Sequence, residues 1–146
     1  MEGGVHIMIE VNYLAVLLAG IVSMVIGFLW YSPLLFAKPW MKLMGYTAES
    51  MKKMQKQMGP MYGVSFVLSL VMAFVLSHVT TMSEAYFHYP HLMSALTSAF
   101  WMWLGFVVPV QATDVIFGGK SWKLFGINTG YQLASLLGMG VVIGLM

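Results

Sequence analysis

The chain has 146 residues, of which 60% are apolar and 8% charged, and its mean hydropathy is +0.82. About a quarter of an ordinary soluble domain is charged, so this composition excludes a soluble globular domain and a disordered chain. The formal net charge of +2, carried by seven Lys without an Arg, does not suit a nucleic-acid partner, and the absence of Cys excludes disulfide scaffolds, Fe–S clusters and thiolate zinc sites. What remains is a small all-α integral membrane protein whose first partner is the lipid bilayer.

Four apolar stretches, about 11–30, 61–80, 92–112 and 124–145, predict four transmembrane helices in one domain. Each is about 20 residues long, enough to cross about 30 Å of hydrocarbon as a helix. None contains Asp, Glu or Lys, and the breakers fall between them: Pro33 and Pro39, Gly59-Pro60, Pro90, and Gly118-Gly119. The first stretch lacks a basic leader and a small-residue cleavage site, so it reads as an anchor rather than a cleavable signal.

Between the first two spans, Thr47 is a good N-cap and 47–58 is helix-compatible. Met51, Met54 and Met58 share one face, and Lys52, Lys53 and Lys56 take much of the rest. This predicts a short amphipathic helix in the membrane interface. The Met stripe reads as apolar filling rather than as a thioether copper site.

All seven Lys fall in the first and third connections, whereas Glu2, Glu10, Glu84, His6, His88 and His91 lie toward the other side. The positive-inside rule then predicts an inner (cytoplasmic) membrane protein with both termini outside.

Small residues recur every four positions: Ala19, Ser23 and Gly27 in the first span, Ser65, Ser69 and Ala73 in the second, Gly130, Ala134 and Gly138 in the fourth, with Gly140 and Gly144 on a second row. Such ladders let helix backbones approach closely in lipid. The two basic connections also echo each other, Lys38-Pro39-Trp40 against Lys120-Ser121-Trp122, with Gly27-Phe28 and Pro33 matched by Gly105-Phe106 and Pro109. We read a duplicated two-helix hairpin, the halves being tandem and parallel.

Catalytic signatures are absent, and no cofactor is expected. His88 and His91 are the only weak metal candidates, and Pro90 between them works against a helical ligand pair. The lone Asp, Asp114, ends the third span ahead of Lys120 and Lys123, and Asn128, Tyr131 and Gln132 open the fourth at similar depth. With Trp30, Tyr31 and Ser32 at the end of the first span they form a candidate polar pocket at the inner boundary. Either Asp114 and a Lys bind a headgroup, ion or small polar solute, or Asp114 pairs structurally within an aromatic interface belt. The second is the plainer reading.

The run Gly27-Phe28-Leu29-Trp30-Tyr31-Ser32-Pro33, continuing through Phe36-Ala37-Lys38-Pro39-Trp40, resembles the signature of a bacterial family of small four-span membrane proteins of unknown function. So do Asn12-Tyr13-Leu14-Ala15-Val16 near the start and the later Lys120-Ser121-Trp122-Lys123-Leu124-Phe125-Gly126-Ile127-Asn128. The family usually has Gly where this chain has Ala37. The resemblance implies four spans and supplies no activity. The expected function is therefore a non-enzymatic membrane subunit, a homo-oligomer or an accessory to another membrane protein. The alternatives are a small oligomeric transporter or channel and, behind it, a membrane enzyme acting on lipid.

Overall fold

A computed structural model describes residues 9–146; the readings that involve Glu2 and His6 lie outside the described residues. Helix α1 (Tyr13–Trp30) starts where the side chain of Asn12 accepts the Ala15 N–H at 3.1 Å, satisfying one of the donors every helix start leaves open. Two short helices follow, α2 (Ala37–Met44) and α3 (Ala48–Gln55). Then come α4 (Met58–Phe87), α5 (His91–Met102), a π-helical turn (Trp103–Val107), α6 (Val108–Gly118) and α7 (Trp122–Leu145).

The short helix expected over 47–58 is observed as α3, with Thr47 as N-cap in a reciprocal capping box with Ser50, but it ends at Gln55 and Met58 opens α4 instead. Helix α2 was not expected, because Pro39 reads as a breaker. It occupies the first turn of α2, where its missing N–H has no intrahelical partner to lose. The π-helical turn was not expected either. Pro109 cannot donate to Gly105 and its ring crowds that carbonyl, so a widened turn just before the proline absorbs the mismatch and lets the helix continue into α6.

Among the described residues three helices are long and apolar enough to cross a membrane: Tyr13–Trp30, Met58–Phe87 and the composite His91–Gly118. The fourth expected span, α7, has the length at 24 residues. Its first half carries Asn128, Thr129, Tyr131 and Gln132, which dilute its apolar character.

The four long elements form a ring in the order α1, α4, α5, α7, each antiparallel to its neighbours. At its centre Ala19, Ala73, Leu76, Ala95, Ala99 and Met139 are fully buried. Small side chains dominate because they let the backbones come close. Gly144 shows how close: a Cβ there would lie 2.7 Å from the Cα of Leu92 on α5. Across the same core Ser23 Oγ lies 2.5 Å from Ser135 Oγ and 3.4 Å from Ser69 Oγ, so hydroxyls from α1, α4 and α7 meet.

The small-residue rows do not all face a neighbour. Ala19, Ser23, Ser69 and Ala73 are buried, and Gly130 and Gly138 face Trp30 and Ile26 of α1, with Ala134 half-buried in the same row. Ser65 is exposed instead. Near it α1 and α4 part around a groove lined by Met24, Gly27, Phe28 and Tyr62, and Gly27 makes room for the Tyr131 ring of α7 rather than for α4.

Candidate functional site

The C-terminal ends of α1 and α6 and the N-terminal ends of α4 and α7 share one end of the bundle, and α2 and α3 lie there too. All seven Lys therefore gather at this end. The local sequence explains the opening found there. Beyond the π-helical turn, α6 lies less closely against α7 than α5 does, and a cavity of about 310 Å³ occupies the space between them.

Helix α6 contributes Gln111, Asp114 and Val115 to its walls, the turn after Gly119 contributes Lys120, and α1 ends on it with Tyr31. Helix α7 contributes Leu124, Phe125, Asn128, Tyr131 and Gln132. Lys120 Nζ donates to Asp114 Oδ2, with both side chains about half exposed. Tyr31 Oη donates to Asn128 Oδ1 at 2.8 Å, and the Tyr31 ring meets Tyr131 edge-on at 5.3 Å. Burial, with the Tyr131 hydroxyl beside it, pushes the Tyr31 phenol well above the ordinary range and keeps it protonated as a donor.

Of the nine polar-pocket residues singled out in the sequence, Tyr31, Asp114, Lys120, Asn128, Tyr131 and Gln132 line this cavity. The other three stand beside it. Trp30 Nε1 donates to Ile127 O at 2.9 Å, Ser32 Oγ donates to Leu29 O at the end of α1, and Lys123 lies in the first turn of α7. Gln111 and Phe125 were not singled out as site residues. Gln111 sits one helical turn before Asp114, a spacing that puts both on one face. Asp114 therefore pairs with Lys120 rather than Lys123, because Gly118 and the left-handed Gly119 (φ +66°) turn the chain back within six residues.

His88 and His91 lie at the opposite end. His88 caps α4 in the left-handed region (φ 58°), and His91 Nδ1 is 2.7 Å from Glu84 Oε2. Among the described residues no group of three His, Cys, Asp or Glu side chains is close enough to hold a metal ion.

The chain belongs to DUF1761, described as a protein family of unknown function, which matches residues 14–144. No curated protein and no solved structure matches it.

Proposed function

We propose that this chain is a four-span protein of the bacterial inner membrane that works without catalysis, as an oligomerising or accessory subunit. The observation that carries this reading is the filled bundle axis. Ser23, Ser69 and Ser135 close on one another at mid-height, and Leu76 and Met139 pack beside them without exposure. One copy so packed offers its outer surface, not its interior, for work. That surface is apolar, with Ile21 and Val25 on α1, Val64 and Val71 on α4, and Trp101 and Phe106 on the third long element.

Helix α7 is the fourth span in this reading. Its 24 residues reach about 36 Å. Its polar residues turn toward Trp103, Tyr31 and the cavity rather than outward. The lysine end is cytoplasmic by the positive-inside rule, leaving both termini outside. The ring order also supports a duplicated hairpin, because a two-fold axis through its centre would exchange α1 with α5 and α4 with α7.

A second reading, an oligomeric transporter or channel for an ion or polar solute, is favoured by the polar cavity at the lysine end. A lipid-processing enzyme would rest on that cavity too. Native mass spectrometry of the purified full chain tests the subunit reading. A discrete homo-oligomer or a retained membrane partner supports it. A monomer that alone carries ions into liposomes overturns it. The orientation is tested separately with single cysteines. Gln55→Cys should be shielded from an impermeant maleimide in whole cells and Tyr86→Cys should react; the reverse pattern overturns it.

A further inference from the structure

We propose that the cavity between α6 and α7 binds a phosphoethanolamine group, an ammonium joined by a short linker to a phosphate, either free or as a lipid headgroup. The argument begins with the charges. The cavity holds one carboxylate and one ammonium, Asp114 and Lys120, already paired with each other. A lone cation gains nothing, because it trades the Lys120 pair for its own, and a lone anion would meet the Asp114 charge. A zwitterion meets neither obstacle, since its ammonium takes the place of Lys120 at the carboxylate and its phosphate follows the displaced lysine. One half-exposed pair becomes two. Opening the original pair costs little, because exposed ion pairs contribute little. Lys120 also sits directly after the left-handed Gly119, on a turn rather than within a helix.

The uncharged lining fits the same ligand. Asn128 spends its carbonyl oxygen on Tyr31, which leaves its amide hydrogens for a phosphate oxygen. Gln111 and Gln132 add donors and acceptors on opposite walls, and Tyr131 adds a hydroxyl-bearing ring to the lining. The 310 Å³ cavity is large enough for the whole group. The inference does not depend on copy number; only the lipid source depends on the membrane reading.

The test uses the full chain in detergent micelles, with unfolding followed through its tryptophans. Phosphoethanolamine at about ten times its Kd should raise the melting temperature by on the order of 3 °C. Ethanolamine alone and inorganic phosphate alone should each give well under half of that shift. Asp114→Asn and Lys120→Gln should each abolish it, and Gln132→Leu should reduce it, so that one poorly folding variant does not decide the outcome. If only phosphatidylethanolamine added to the micelles gives the shift, the headgroup is the source; if the soluble compound suffices, the free zwitterion is. The proposal is overturned if neither source shifts the melt, if phosphate alone gives the full effect, or if both charge variants keep it. A monomer that carries ions into liposomes and passes this test would sink the subunit reading and leave the binding site standing.

Discussion

Tyr31 donates its phenolic hydrogen to Asn128 across 97 residues of sequence, and the residues on either side of Asn128 receive similar bonds. Trp30 donates its indole N–H to the carbonyl of Ile127, and Trp103 donates to that of Thr129 at 2.8 Å. Three consecutive residues of α7 are thus held by the last turn of α1, its C-cap and the π-helical turn. Tyr and Trp suit this depth because each carries a large apolar ring with one polar atom to place. These bonds fix α7 at the level where the cavity opens.

Replacing Tyr31 with Phe removes one of the three bonds and leaves the Asn128 carbonyl oxygen without that donor. The expected cost is about 1 kcal/mol, read as a lower melting temperature of the purified protein. Asn128→Leu combined with Tyr31→Phe should cost less than the sum of the two single changes. Alkaline pH gives a second readout. The folded Tyr31 holds its proton above the ordinary phenol value of 10.0, so above that pH the unfolded chain binds fewer protons at this site and stability falls as pH rises. That part of the alkaline slope should be missing from Tyr31→Phe. Equal slopes in the two proteins would show that Tyr31 ionises as easily folded as unfolded.

The apolar runs and the breakers between them were legible in sequence because hydropathy and proline act locally. So was the meeting of Tyr31, Asp114 and Asn128, since residues ending or opening neighbouring antiparallel helices fall at one end of a bundle. Pro39 and Pro109 were less legible, because a proline's effect depends on its position in a turn: the first opens α2, the second sits behind a π-helical turn. Ser65 was misplaced because four-residue spacing identifies a helix face but not whether a neighbour covers it. Ser135, which falls just outside the small-residue row through Ala134, was overlooked. Its role appears only once α1 brings Ser23 to it.

The glycines of α7 predict a graded series. A Cβ at Gly144 would lie 2.7 Å from a backbone atom of α5, and at Gly138 2.6 Å from the flexible tip of Ile26. Backbone cannot give way as a side-chain tip can. Gly144→Ala should therefore destabilise by about 1–3 kcal/mol and Gly138→Ala by less. Gly126, with nothing within 4 Å of its Cβ position, should accept Ala with no loss or a small gain from helix propensity. Melting temperatures that rank the three differently would mean α7 packs otherwise.

Ser23 separates packing from hydrogen bonding in the core. Its hydroxyl bridges toward Ser69 and Ser135, yet Ser69 also donates to Ser65 O at 2.9 Å and keeps a partner without it. Hydrogen bonds between membrane helices average about 0.6 kcal/mol, so Ser23→Ala should cost about that. Ser23→Leu must push α1 away from α4 and α7 and should prevent recovery of folded protein. Equal behaviour of the two variants in size-exclusion and melting experiments would show that the hydroxyl cluster, not the close approach, holds the bundle.

The Asp114–Lys120 pair gives the last prediction, because sequence and structure lead to different magnitudes. A lone carboxylate at the hydrocarbon boundary leads one to expect a costly charge that its lysine must neutralise, so that Asp114→Asn would destabilise and removing the lysine as well would recover part of the loss. In the folded chain both side chains are about half exposed, at 57% and 52%. An exposed pair of this kind contributes about 0–1 kcal/mol. Asp114→Asn and Lys120→Gln should therefore each lower stability by less than about 1 kcal/mol, and the double variant should match the single ones. Added salt should weaken the native pair, narrowing the gap between native protein and variants. A loss of several kcal/mol in Asp114→Asn, restored by Lys120→Gln, would instead mean that α6 and α7 close over the pair and that the cavity between them is shut.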